Sequence, residues 1–232
     1  MISKYSIQLL FFILSLGLSD LISPYNGANL RSIHIMFEWS QEPDAFSYNL
    51  QISDSPQFNN IILDINEPTT VYIEKDVIDW DTNYYWRVRP VSELGDMGSW
   101  IGSSSFYSGQ KTLVDLDVDI YQEDLVQDGL IMYSQFSPYF AVGVIDKFGS
   151  EIWNTQIAYM NHINDYGQLY GVADQGGLEF NYNHEVLWNT QPGIPIDSHE
   201  VKQIPNGNYM AFVPIQVNGP ISPEGNWSFY FQ

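Results

Sequence analysis

The sequence predicts an all-β chain, a β-sandwich followed by an incomplete β-propeller of about three blades. Three observations carry that expectation. Apolar and polar residues alternate in short runs up to about residue 109, no stretch shows helical periodicity, and a twelve-residue pattern recurs in the second half.

The first 19 residues stand apart. Lys4 is followed by an apolar run from Ile7 to Leu18, with small Gly17 and Ser19 ahead of Asp20. This is the layout of a secretory signal peptide over residues 1–19, cleaved before Asp20. The run is about 12 residues, short of the roughly 20 a spanning helix needs, so no stable membrane insertion is expected after cleavage. A periplasmic or secreted, bacterial location follows. The chain has no cysteine, which excludes disulfides and zinc–thiolate sites. A core must come from packing, and 16% aromatic residues can supply it. With 28 acidic residues against 8 basic ones the formal charge is −20, so nucleic acid and anionic lipid are poor partners.

Residues 20–109 read as short strands. Ile33, Ile35, Phe37 and Trp39 alternate with polar neighbours and Met36; so do Phe46, Tyr48, Leu50 and Ile52, and then Tyr84, Trp86 and Val88. In each run one face would be buried and the other, carrying His34, Asn49, Gln51, Arg87 and Arg89, wet. Turn material at Pro43-Asp44, Asp54-Ser55-Pro56, 79–83 and 95–98 separates the runs, as in a sandwich. The segments Ser23-Pro24-Tyr25-Asn26-Gly27, Phe37-Glu38-Trp39 and 48–53 resemble strands A to C of fibronectin type III domains. Ile78, Thr82, Tyr84 and 86–89 resemble that family's E–F corner. The resemblance implies that Tyr84 is the corner tyrosine, its hydroxyl bonded to nearby backbone.

Residues 110–127 are acidic, with Asp115, Asp117, Asp119, Glu123 and Asp124, and read as a linker or a closing strand. They lack the spacing of a Ca²⁺ loop, and no metal site or cofactor is expected. From 128 to 232 the chain repeats. Residues 145–156 (IDKFGSEIWNTQ) return 35 residues later as 180–191 (FNYNHEVLWNTQ), each strand–turn–strand. Turns at Asp128-Gly129, 165–167 and 205–208 precede further apolar strands at intervals of 38 and 40 residues. A four-stranded unit of that length is a propeller blade.

The Asp-x-x-Gly turn, Ile152-Trp153 and the run from Asp197 to Met210 (DSHEVKQIPNGNYM) resemble bacterial arylsulfotransferases that work without 3′-phosphoadenylyl sulfate. Where that family has two adjacent histidines, this chain has Ser198-His199. The resemblance implies sulfuryl transfer from a phenolic sulfate donor to a phenol acceptor through a histidine. His199 would then be catalytic, orienting the sulfate or protonating the leaving phenol, with His162 and Asn206 binding substrate. His34 and His184 are expected to be solvated, His184 in the turn position matching Gly149, and His162 in the loop before its strand. From Gln110 onward the bases are Lys111, Lys147 and Lys202, with no arginine fork to match a sulfate. The expectation is a fragment of a longer enzyme, inactive alone, its nucleophile beyond Gln232 and its last run, Trp227 to Phe231, an interrupted strand. The alternative is a non-catalytic cell-surface binding or adhesion protein, the sandwich a spacer and aromatic-rich loops taking glycans or proteins.

Overall fold

The computed structural model describes residues 20–216, apart from 115, 117, 119–121, 136 and 174–175. The expected signal peptide, the carboxylates Asp115, Asp117 and Asp119, and the apolar run from Trp227 to Phe231 lie outside the described residues. What is described is all-β, in several separate sheets, with a single 3₁₀ turn at Glu123–Leu125. No helix among the described residues is long and apolar enough to cross a membrane. The chain divides into two compact units. One comprises 20–28, 36–77 and 83–106, the other 29–35, 78–82 and 107 onward.

The first unit is built from β1 (Leu21–Ser23), β2 (Ala28–Asn29), β3 (Ile35–Trp39), β4 (Ser47–Ser53), β5 (Ile61–Glu67), β6 (Val71–Glu74), β7 (Asn83–Val91) and β8 (Gly102–Tyr107). They form two sheets, ordered β1-β3-β6 and β2-β8-β7-β4-β5. Phe37 and Trp39 of β3 reach across to the second sheet. Phe37 meets Trp86 edge-on at 5.1 Å and Phe106 at 5.8 Å, and Trp39 meets Tyr48 at 5.5 Å. Edge-to-face packing brings each ring's positive rim to its neighbour's negative face. Tyr84 is buried and stacked on Phe106 at 5.5 Å. Glu74 ends β6 by accepting the N–H groups of Lys75, Asp76 and Val77 on one oxygen and the Tyr72 hydroxyl on the other, which leaves a buried carboxylate fully bonded.

One expected face is not wet. Asn49 and Gln51 are 3% and 6% exposed. The Arg87 guanidinium lies 3.9 Å from the Phe58 ring and 4.0 Å from Trp100, and Arg89 lies 4.2 Å from Trp100. Arg87 donates to Gln51 Oε1, Arg89 to Asn49 Oδ1, and both amides donate to Asp64. Cation–π contact and this ladder close the face over the polar residues. Phe46, expected inward, precedes β4 and is exposed.

The second unit carries β9 (Ile131–Gln135), β10 (Ala141–Ile145), β11 (Glu151–Thr155), β12 (Tyr159–Ile163), β13 (Leu169–Ala173), β14 (Gly176–Phe180), β15 (Val186–Asn189), β16 (Val201–Gln203) and β17 (Tyr209–Ala211). Three antiparallel sheets result, β11-β10-β9, β12-β13-β14-β15 and β16-β17. The segment Arg31 to Ile33 extends the first: Ile33 N–H donates to Ile152 O at 2.9 Å, and Asn154 N–H to Arg31 O at 3.0 Å. Packing between sheets repeats. β12 lies against β9 and β10, and β16 against β13 and β14, one sheet further on.

Four hairpins of this unit share one five-residue turn: 146–150, 164–168, 181–185 and 204–208. In each the first N–H bonds to the fifth carbonyl and the fourth N–H returns to the first carbonyl. Asp146, Asn164 and Asn181 add a side-chain oxygen that accepts the fifth N–H, at 2.9, 3.0 and 3.0 Å. The fourth residue must be left-handed, which glycine adopts without a Cβ penalty. Gly149, Gly167 and Gly207 stand there with φ of +85°, +77° and +84°, and His184 with +66°.

Candidate functional site

His199 stands two residues before β16, in a short loop fixed from both sides. Its own N–H donates to Asp197 Oδ1 at 2.9 Å, the tight turn that an Asp-x-His spacing permits. Asn161 of β12 holds the other side, its Nδ2 donating to Ser198 O at 2.9 Å while its Oδ1 accepts Val201 N–H at 3.1 Å. Asp197 N–H bonds to Phe212 O at 2.9 Å, and Val201 anchors the loop in a buried cluster with Tyr170 and Ile196. The imidazole is left outside, its side chain 80% exposed, with Nδ1 on the Asp197 carboxylate. The two bonds from His199, ring first and backbone second, hold the Asp197 carboxyl below the usual range. In the neutral tautomer that keeps its proton on Nδ1, toward the carboxylate, Nε2 is the nitrogen left with a lone pair. Next to it Lys202 is paired with Glu200.

His162 is in strand β12, not in the loop expected from its spacing to Gly167. It is exposed, and its ring lies 5.7 Å from that of Tyr170. Asn206 sits in the exposed turn before β17, where its Oδ1 accepts Asn208 N–H at 3.0 Å. No hydrogen bond among the described residues joins His162, Asn206 and His199. Behind the His199 loop lies a buried polar set that sequence reading missed. Glu179 is 3% exposed and accepts the Tyr209 hydroxyl, whose ring stacks on Trp188 at 3.7 Å. Asn164 donates to the Tyr170 hydroxyl at 3.1 Å. Burial first, and then Glu179, through its charge on Tyr170 and its hydrogen bond to Tyr209, raise both phenols, that of Tyr209 well above its ordinary value.

The other histidines also differ from expectation. His184 occupies the expected turn position, yet it is half-buried, 5.4 Å from the Trp153 ring and with Nε2 3.2 Å from Asn154 O. His34 precedes β3 and is half-buried in the second unit's 29–35 segment. That segment also brings a guanidinium into the unit: Arg31 Nη1 donates to Asn154 Oδ1 at 3.3 Å. Asp197 and Asn161 were absent from the sequence-based set; only the Asp-x-His spacing hinted at the first. Among the described residues no three His, Asp or Glu side chains converge as metal ligands. Compared with known proteins, the chain matches no family model and no curated protein.

Proposed function

We propose that this chain belongs to an exported aryl sulfuryl-transfer system, in which a fibronectin type III-like sandwich precedes the early blades of a β-propeller. The sheet repeat, the shared turn and the repeated packing of β12 and β16 support the propeller. The single observation that carries the activity is the His199–Asp197 pair at the head of β16. In the transfer the S–O bond to the donor phenol breaks and a new S–O bond forms to the acceptor oxygen. The acceptor's phenolic proton passes to the leaving phenolate. His199 Nε2 is the group that can take and return that proton, with Asp197 fixing the ring and offsetting the imidazolium charge. His162 and Asn206 stay in the proposal as substrate contacts.

The test is sulfuryl transfer from 4-nitrophenyl sulfate to phenol by the purified full-length protein, followed by absorbance of released 4-nitrophenolate. Acceptor-dependent release that falls at least about 100-fold in His199→Ala, in the range expected for a lost general acid–base, supports the reading. Release that is independent of acceptor, absent, or unchanged in the variant overturns it.

A further inference from the structure

The internal repeat sets a covered strand edge beside an uncovered one. Residues 145–156 and 180–191 lie in hairpins of the same register. Trp153 pairs with Val144 as Trp188 pairs with Glu179, and Asn154 pairs with Gly143 as Asn189 pairs with Leu178. The register also shifts at the same place, between Val144 and Ile145 in one hairpin and between Glu179 and Phe180 in the other. Backbone groups that point outward from β11 therefore have counterparts 35 residues on, in β15. On β11 those groups are taken. Ile33 N–H donates to Ile152 O at 2.9 Å, Asn154 N–H donates to Arg31 O at 3.0 Å, and Ser32 lies antiparallel to Trp153 between them. Two side chains reinforce the added strand. Arg31 Nη1 donates to Asn154 Oδ1 at 3.3 Å, and Ile33 packs on the core cluster that contains Ile152.

On β15 the corresponding groups are Leu187 O and Asn189 N–H. Among the described residues β15 is the last strand of its sheet. Leu187 is 48% exposed where its counterpart Ile152 is 5% exposed, and Asn189 is exposed where Asn154 is buried. An uncovered edge with an apolar residue on it is a template for a further strand. The strand that fits the equivalent edge shows which kind. It runs antiparallel and carries a basic residue over an asparagine, then a small residue, then an aliphatic residue beside another aliphatic. Asn189 and Leu187 keep both side-chain partners for such a strand. The formal charge of −20 favours a basic guest over an acidic one. We propose that the outer edge of β15 binds an extended Arg-small-aliphatic segment of a partner protein by antiparallel strand addition. Such binding involves none of His162, His199 and Asn206 and needs no sulfuryl transfer.

The probe is a fluorescein-labelled peptide with the sequence of residues 30–34, LRSIH, titrated with the full chain and followed by fluorescence anisotropy. The expected result is saturable binding that weakens at least tenfold when the amide nitrogen of the peptide's isoleucine is methylated. That N–H is the one that would donate to Leu187 O. Methylation keeps the peptide's charge, so it separates strand pairing from simple attraction to an acidic surface, and it leaves the protein's fold untouched. Leu187→Asp, at an exposed position, is expected to weaken binding at least tenfold as well, although it adds a charge attractive to arginine. No saturable binding, or equal affinity for the methylated peptide, would overturn the proposal. Unchanged affinity in Leu187→Asp would overturn it too, by placing the peptide elsewhere, displacement of residues 31–33 from β11 included. Sedimentation of the chain alone tests the remaining occupant. Dimers that are lost in Leu187→Asp would assign the edge to a second copy and overturn the proposal, whereas a monomer supports it.

Discussion

Single residues in the second unit hold positions that admit few substitutes. Gly171 lies at the middle of β13, where its neighbour β12 shifts register between Met160 and His162. A Cβ there would overlap the carbonyl oxygen of Tyr159, a backbone atom that cannot turn aside. Gly171→Ala is therefore expected to cost about 1–3 kcal/mol, as for other overpacked core positions. Urea unfolding would show it as a lower midpoint with an unchanged slope. An unchanged midpoint would mean that β12 does not approach β13 so closely. Nothing in the sequence around Gly171 marks it, because a close backbone approach leaves no trace in the pattern of neighbours. The same holds for Asn161, whose amide fixes the His199 loop from 37 and 40 residues away, at Ser198 and Val201. The Asp197 to Met210 run is what singles out His199 in the sequence.

The hairpin is the element that the sequence reveals most openly. An Asp or Asn followed three residues later by Gly sets both the side-chain cap and the left-handed residue, so Asp146–Gly149 and Asn164–Gly167 are readable by inspection. The 181–185 turn needed the repeat alignment, because His184 stands where glycine would. Less was readable where partners are distant. The pairing of Arg31 to Ile33 with β11 crosses about 120 residues of chain, and the Arg87–Gln51–Asp64 ladder spans three strands; neither has a local signature. His184 gives this element a pH dependence. Burial, the largest cause, lowers its imidazole below the ordinary value; the hydrogen bond to the Asn154 carbonyl opposes it, and a smaller effect of the Arg31 charge adds to it. The neutral form is thus the one the fold favours. Its stabilising contribution is complete above the unfolded value near 6.5 and is lost as pH falls below that through the folded value. Asn tolerates the left-handed backbone and does not titrate. Between about pH 7 and pH 5 the wild type should therefore lose more unfolding free energy than His184→Asn. Equal losses in the two proteins would show that His184 is not held neutral by the fold.

At the scale of the whole molecule charge is the dominant feature. At most 8 of the 28 acidic residues can face a Lys or Arg one to one, and the chain spends several of its bases locally. Arg87 and Arg89 are committed to the Trp100 ladder, and Lys202 to Glu200. The remaining carboxylates repel one another more in the compact state than in an expanded chain, where they are further apart. Their repulsion acts through solvent and is screened over a Debye length of about 30 Å at 0.01 M salt and about 8 Å at 0.15 M. Among the described residues few buried ion pairs oppose this trend, since Glu151 and Glu179 are satisfied by hydrogen bonds rather than by cations. Raising NaCl from about 0.01 to 0.15 M should therefore raise the thermal midpoint by a few degrees. Sodium chloride rather than sulfate is the right salt, because sulfate strengthens apolar burial in any protein and would mask the electrostatic effect. A midpoint that stays flat or falls across that range would mean that paired charges, not self-repulsion, govern the electrostatics of the fold.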